Sequence, residues 1–294
     1  MLDQAVRLRN LMEHHNVADK TFKFNSRLIT IASGKGGVGK SNFTLNLAIN
    51  LASHGKSVAI IDADFGMANI EVLYGKVPNK SLAHVLRGEN TIDQIITQGP
   101  GGISLVSGGS GITDLANLTD AQVAFLLESF IYLDEKYDII LIDTGAGASD
   151  KVTSMVKAAG EVIILTTPEP TALTDAYALI KILKSLDSIP EMFMVINRTL
   201  DKKEGEDIYV KLNRVSHRFL GLELKLLGYI PDDPHLRKAV RKQEPVSIAF
   251  PKSDSAKSIA AIAREVLSVE SPAIVNEDTA GGFLRRLTGL FGSK

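Results

Sequence analysis

Eight consecutive residues, 34–41, have the types and spacing of a phosphate-binding loop. They read Gly-Lys-Gly-Gly-Val-Gly-Lys-Ser, between a short apolar run and a helical pattern. Glycines let the backbone curl so that successive N–H groups point at phosphates, and the start of a helix adds its positive dipole end. Lys40 would neutralise the β- and γ-phosphates, and the Ser41 hydroxyl would face Mg²⁺. The predicted ATP-binding residues here are Gly34, Gly36, Gly37, Val38, Gly39, Lys40, Ser41 and Asn42.

A second lysine, Lys35, stands at the start of this loop. With it, residues 35–41 resemble the deviant Walker A motif of the MinD/ParA family of dimeric ATPases. In that family the first lysine reaches across a dimer interface to the phosphates bound by the partner. The resemblance implies a homodimer in the ATP-bound state, with Lys35 and Lys40 as catalytic residues.

Two carboxylates two residues apart, Asp62 and Asp64, follow the next apolar run. Such a pair can divide its work, with one carboxylate near the magnesium ion and the other holding the attacking water in line with the γ-phosphate. The stretch matches switch I of the family, in which the second aspartate is assigned to the water. We therefore expect Asp64 to position the water and Asp62 to support the metal.

Another aspartate, Asp143, ends the apolar run 138–142 and begins Asp-Thr-Gly-Ala-Gly. An acidic residue that ends a buried strand beside a phosphate-binding loop can hold Mg²⁺ through water, and Gly145 can approach the γ-phosphate. The stretch resembles switch II, although the family more often has proline where Ala146 stands. The predicted metal-binding residues are Ser41, Asp62 and Asp143.

Two further stretches are candidates for the base of the nucleotide. Asn197-Arg198 and Pro231-Asp232 each follow an apolar run. In the family the asparagine reads the adenine edge and the later segment closes over the base. A primary amide both donates and accepts hydrogen bonds, as adenine requires. We expect Asn197, Arg198, Pro231 and Asp232 to bind ATP.

Glu169, in the segment Thr166–Thr171, allows two interpretations. By resemblance this segment lies at the dimer interface, where Glu169 would meet Lys35 of the partner. An acidic residue at the start of a helix would look the same, because it favours the positive end of the helix dipole.

Apolar strand-like runs alternate with helical patterns from residue 27 to residue 269. This alternation predicts parallel βαβ units. The fold class is therefore α/β, a three-layer P-loop NTPase fold with a mostly parallel central sheet and helices on both faces. The predicted strands are Leu28–Ala32, Ser57–Ile61, Ile103–Val106, Asp138–Ile142, Glu161–Thr166, Met192–Ile196 and Lys225–Tyr229.

The composition narrows the class of protein. The 294 residues are 45% hydrophobic and 23% charged, which is ordinary for a soluble globular chain. A net charge of −1 provides no global field for nucleic acid. The absence of cysteine excludes disulfides and thiolate-held metal or iron–sulfur sites. Without a signal-peptide core in residues 1–25 or an apolar run that spans a bilayer, we expect a cytoplasmic protein.

Residues 1–12 have the pattern of an amphipathic helix, which residues 13–26 would link to the domain. Packing of this helix back on the core of the domain is the alternative. The stretch Asp-Gln-Ala-Val-Arg-Leu-Arg resembles the DQAxxLR motif of the FlhG family, also called YlxH or FleN, whose members control flagellar number and placement. In that family the motif helix stimulates the GTPase FlhF. The residues predicted to contact FlhF are Asp3, Gln4, Ala5, Leu8 and Arg9.

The last residues form a second amphipathic pattern, 283–294, after a linker of residues 270–282. Two copies of this helix in an ATP-bound dimer would bind a membrane more tightly than one copy, through avidity. We therefore expect reversible binding to the anionic inner face of the cell membrane. Docking of this helix in a groove of its own domain is the alternative. The residues predicted to enter the membrane are Phe283, Leu284, Leu287, Leu290 and Phe291.

The sequence is also compatible with other functions. A MinD-type division-site ATPase shares every motif except residues 1–12, and a non-hydrolysing ATP-binding scaffold differs only in turnover. A ParA-type DNA-partitioning ATPase would need a basic surface. The basic clusters, 202–203 and 237–242, fit solvated helix faces, so we expect no direct nucleic-acid binding. A flagellar switch-complex protein or a transcription regulator is left open as a further partner.

Overall fold

The computed structural model describes residues 25–64, 70–76, 78–109 and 119–269. The predicted helices 1–12 and 283–294, the linker 270–282 and most of the linker 13–26 lie outside these ranges. Within them, no helix has the length and apolar character needed to cross a membrane.

Eight strands form one sheet in the order β3-β4-β2-β5-β1-β6-β7-β8. Every neighbouring pair is parallel except β3 and β4. All seven predicted strands are present; the prediction missed β3, whose two residues are too few to show a periodic pattern. The strands are β1 (Arg27–Ala32), β2 (Val58–Ala63), β3 (Thr97–Gln98), β4 (Ser104–Ser107), β5 (Ile139–Thr144), β6 (Glu161–Thr166), β7 (Glu191–Thr199) and β8 (Lys225–Pro231).

Helices cover both faces of the sheet, which confirms the predicted three-layer α/β fold. They are α1 (Lys40–Ser53), α2 (Ile70–Leu73), α3 (Leu82–Leu86), α4 (Ile92–Ile95), α5 (Asp120–Lys136), α6 (Asp150–Ala159), α7 (Pro170–Lys184), α8 (Lys202–Leu220), α9 (Pro234–Arg241), α10 (Val246–Ala249) and α11 (Asp254–Ser268), with a 3₁₀ turn at Pro100–Gly102.

Two apolar layers hold the sheet in place. Side chains of α1, α9, α10 and α11 pack with one face of the strands. Side chains of α3 to α8 pack on the other face. Strands β2, β5 and β6 are buried along their whole length, as expected for parallel strands covered on both sides. The carboxyl ends of β2, β5 and β1 therefore lie side by side, where the motifs begin.

Candidate nucleotide-binding site

The phosphate-binding loop runs from the end of β1 to the start of α1, and two of its glycines, Gly34 and Gly39, are required sterically. Gly39 has φ +98°, a left-handed conformation that favours glycine, and a Cβ there would lie 2.6 Å from Asn197 Nδ2. A Cβ on Gly34 would lie 2.2 Å from the backbone of Asp175 in α7. The loop therefore packs between β7 and α7, and these contacts hold its backbone in the curled form that binds phosphates.

The buried carboxylate of Asp143 organises the polar centre of the site. Its Oδ1 is 3.0 Å from Lys40 Nζ and accepts a hydrogen bond from Thr44 Oγ1 at 2.9 Å. Its Oδ2 accepts a hydrogen bond from Ser41 Oγ at 2.6 Å. Sequence reasoning missed Thr44; the available signal was its position four residues after Lys40, which returns it to the same helix face.

Asp62 lies beside Asp143 because the two residues pair in register across β2 and β5. The strand β2 extends to Ala63, so Asp62 lies inside the strand. The prediction had placed Asp62 after the end of the strand. Its carboxylate accepts hydrogen bonds from the Asp64 and Ile70 N–H groups at 3.1 and 3.3 Å. Burial, and next the charge of Asp143, raise the pKa of Asp62 to about 7.

The raised pKa makes Asp62 a source of pH-dependent instability. On folding the carboxyl takes up a proton between pH 3.8 and about 7, so the free energy of unfolding falls as pH rises through this window. Asp62→Asn mimics the neutral form and should stabilise the nucleotide-free protein, with a gain that grows by about 3 kcal/mol between about pH 5 and pH 8. Urea unfolding of both proteins at the two pH values measures this gain.

Asp187→Asn is the control, since it removes a carboxylate that is 95% exposed. If Asp62→Asn stabilises the protein equally at both pH values, or not at all, then burying the ionised Asp62 carboxylate does not cost the folded protein free energy.

Asp64 and Gly145 face each other at the mouth of the site. A Cβ on Gly145 would lie 3.6 Å from Asp64 Oδ1. Both residues line a cleft of about 1000 Å³ that also exposes the phosphate-binding loop, Asn197 and Arg198. A cleft of this size, with polar groups converging at one end, is typical of a small-molecule site.

Asn197 supports the phosphate-binding loop directly. Its Nδ2 donates a hydrogen bond to the Val38 carbonyl at 2.7 Å, and its Oδ1 accepts one from the Arg198 N–H at 3.0 Å. Both residues lie inside β7, where Arg198 has φ +58° and the register with β8 shifts. One N–H and one lone pair of the amide remain for a base, so the adenine-reading role stays a prediction. The bond to Val38 was not foreseen.

The far wall of the cleft is formed by Pro231, Asp232 and helix α9. Asp232 pairs with Arg237 of that helix. Asp233, the next residue of this predicted segment, caps α9 by accepting from the His235 N–H and anchors it by accepting from the Ser255 hydroxyl of α11, a role that the sequence prediction did not include. Burial alone would raise the pKa of Asp233, but these hydrogen bonds hold it well below its usual value. An Asp-Pro pair before a helical pattern was the available signal.

Lys35 is held within its own chain. Its Nζ lies 3.0 Å from Glu169 Oε2 and 2.9 Å from Thr171 Oγ1. The Lys35 and Glu169 side chains are 39% and 56% exposed, so the contact is weak and can open. Glu169 thus meets Lys35 of the same subunit, and the expected contact across a dimer remains a prediction.

The residues fit a magnesium nucleotide better than a free metal ion. Within the described ranges, no group of three or more His, Asp or Glu side chains could hold a metal. Magnesium is commonly bound by one or two carboxylates together with substrate phosphates and water. Ser41 and Asp143 beside a phosphate-binding loop provide this donor set.

A comparison with known families agrees with this geometry. The ParA family model, described as "NUBPL iron-transfer P-loop NTPase", matches residues 25–267. The chain belongs to the MinD/ParA family of P-loop NTPases. It contains no cysteine, so a thiolate-held iron–sulfur cluster is not part of its chemistry.

Two curated MinD/ParA relatives support the resemblance to the FlhG family. The antiactivator FleN of Pseudomonas aeruginosa is 40% identical over 84% of this chain and 88% of FleN. The flagellum site-determining protein YlxH of Helicobacter pylori is 37% identical over 99% of this chain and 100% of YlxH. The predicted resemblance is therefore confirmed.

A solved MinD structure shows the same fold. The septum site-determining protein MinD of Pyrococcus horikoshii, in complex with Mg-ADP, superposes with a TM-score of 0.65 at 27% identity, covering 83% of this chain and 96% of MinD. The likeness covers most of both chains, so the two proteins share the fold that positions this cleft.

Proposed function

We propose that this chain is an ATP-dependent dimerising ATPase that associates reversibly with the inner face of the cell membrane and regulates flagellar number and placement. The observation that carries the proposal is the match to YlxH, which spans 99% of this chain and all of YlxH. The FleN match supports the same branch. The name antiactivator keeps a transcription regulator among the candidate partners.

ATP and Mg²⁺ are the proposed ligands of the cleft. The loop N–H groups and Lys40 would bind the phosphates, and Ser41 and, through water, Asp143 would hold the ion. When bound, the ion would neutralise charge on the phosphates. Asp64 at the mouth of the cleft orients the attacking water, and Asp62 supports the hydrogen bonds around it. Arg198, Pro231 and Asp232 border the space for the base.

ATP-dependent dimerisation is proposed to depend on Lys35. Because its contact with Glu169 is exposed, the Lys35 ammonium group can leave Glu169 and bind another acceptor. Lys35→Ala should leave a monomer in the presence of ATP, because the cation that would reach the partner's phosphates is lost. Multi-angle light scattering with Mg-ATP measures this loss.

Lys151→Ala is the matched control, since it removes a lysine from α6 that, like Lys35, is partly exposed. An ATP-dependent dimer of Lys35→Ala as stable as the wild-type dimer would contradict the bridging role. Binding of ATP to the Lys35→Ala monomer should stay within a few-fold of wild type, because Lys40 is retained.

Stimulation of the GTPase FlhF is the experiment that tests the flagellar assignment. A peptide of residues 1–20 should raise the GTP turnover of purified FlhF, and the same peptide with Gln4→Ala should not. The expected reason is that the glutamine amide acts at the nucleotide of the GTPase.

Two other outcomes would redirect the proposal. No stimulation by either peptide would contradict the activator role and leave MinD-type division-site positioning as the next function to test. Equal stimulation by both peptides would remove Gln4 from the mechanism. The likeness to MinD favours this alternative only at the level of fold and site.

A further inference from the structure

The outer edge of α9 carries cations that surround one aromatic ring. Lys238 Nζ and Lys242 Nζ lie 5.7 and 5.9 Å from the centre of the Phe250 ring. Arg241 lies on the same short helix and is exposed. Lys238 and Lys242 are four residues apart and repel each other. We refer to Lys238, Arg241, Lys242 and Phe250 as the α9 cationic surface.

The charges of this surface are not neutralised inside the described domain. Among the described residues, no carboxylate lies within 4.0 Å of Lys238, Arg241 or Lys242, whereas Arg237 on the same helix pairs with Asp232. The acidic residue next in sequence, Glu244, is exposed. The chain as a whole has a net charge of −1, so this cluster is a local feature. It is complementary to an anionic surface.

Apolar groups distinguish a lipid surface from a nucleic acid. Ile248, in α10 just before Phe250, is 48% exposed. The Phe250 ring is already covered by the two ammonium groups and by the His235 ring, whose centre lies 5.2 Å away at a tilt of 55°. To stack on a base, this ring would first have to lose its contacts with the two lysines or the histidine. Cations beside an exposed apolar side chain instead suit the headgroup region of an anionic membrane.

The same helix forms part of the nucleotide cleft. Leu236, Arg237 and Val240 line the cleft, while Lys238 and Lys242 project toward Phe250. Asp233 fixes the start of α9 to α11. A nucleotide in the cleft would therefore contact the helix that carries the cations.

We infer that the α9 cationic surface is a second membrane contact, which binds anionic lipid headgroups in addition to the predicted helix 283–294. The inference rests on the proposed membrane association. It adds a site on the folded domain itself, located beside the nucleotide. Two weak contacts on one chain would combine by avidity.

Vesicle sedimentation of the full chain tests this inference. The triple variant Lys238→Gln/Arg241→Gln/Lys242→Gln is compared with wild type on vesicles of phosphatidylcholine containing phosphatidylglycerol, with Mg-ATP. Each cation near such a surface contributes about fivefold in affinity, so binding should weaken by about a hundredfold. The matched control Lys203→Gln/Lys211→Gln/Arg214→Gln, on α8 and the opposite face of the sheet, should change binding less than about threefold by screening.

Ile248→Gln provides an independent readout. It should weaken vesicle binding by a factor that is the same at low and high salt, whereas the effect of the triple variant should shrink as salt is added. ATP affinity of the triple variant should equal that of wild type, because none of the three side chains lines the cleft. This measurement shows that the variant is folded.

The outcomes separate this inference from the proposed function. If wild type does not sediment with any vesicle in Mg-ATP, the proposed membrane association fails and the inference fails with it. If wild type binds and the triple variant binds equally well, only the inference is overturned. If the triple variant keeps vesicle binding but loses binding to a fluorescent DNA duplex, the surface is a nucleic-acid site and the inference is wrong.

Discussion

Replacing Lys40 with alanine should abolish ATP binding. The ammonium group is the buried cation at the phosphate-binding loop, and it would make charge-assisted hydrogen bonds to the β- and γ-phosphates. Each such bond contributes about 1.5–3 kcal/mol, so losing two should weaken binding by about 100-fold or more. Isothermal titration calorimetry with Mg-ATP measures this directly.

Lys40→Ala should also destabilise the fold, and this loss of stability must be separated from the loss of ATP binding. Lys40 is the salt-bridge partner of Asp143, whose side chain is 0% exposed, at 3.0 Å. Leaving this carboxylate buried without its cation should lower the free energy of unfolding by about 3–5 kcal/mol. Lys40→Gln keeps an N–H donor near Asp143 while removing the charge. This variant should fold more stably than Lys40→Ala and still fail to bind ATP.

Urea unfolding of both variants is therefore the control for the binding measurement. Wild-type ATP affinity in a folded Lys40→Gln protein would contradict the assignment of residues 34–41 as the phosphate-binding loop. Loss of binding in both variants, with different stabilities, would show that the binding defect is not caused by unfolding.

The second large effect is expected for Asp64→Ala. This variant should lower ATP turnover by about 10²–10⁴-fold, because a positioned group that orients or deprotonates the attacking water contributes a factor of this size. ATP affinity should change little, since the loop, Lys40 and Asp143 are retained. Phosphate release in a single turnover, together with calorimetry, separates the two effects.

The oligomeric state of Asp64→Ala gives a further check. If hydrolysis dissociates the proposed dimer, the variant should remain dimeric in Mg-ATP for longer than wild type in light scattering. Asp150→Ala, which removes an exposed carboxylate at the start of α6, is the matched control and should keep wild-type turnover. Unchanged turnover in Asp64→Ala would instead support a scaffold that binds ATP without using this residue to hydrolyse it.

Local sequence was sufficient for the fold class and for the phosphate-binding loop. The loop is defined by eight adjacent residues between a strand and a helix, and the strands are continuous apolar runs. Such features depend on neighbours in the chain, so they are visible without a structure. The two-residue strand β3 and the exact ends of β2, β5 and β7 were not visible, because ends depend on pairing with other strands.

The contacts that make the cleft a site were decided by the tertiary structure. Asp62 and Asp143 are neighbours only because β2 and β5 pair in register, and burial, together with the charge of Asp143, raises the pKa of Asp62. Asn197 donates a hydrogen bond to the Val38 carbonyl only because β7 and the phosphate-binding loop after β1 lie close together at one edge of the sheet. The residue types alone were enough to predict that these side chains bind the nucleotide or its metal ion. Strand order determined which of them touch, since it brings together segments that are distant in the chain.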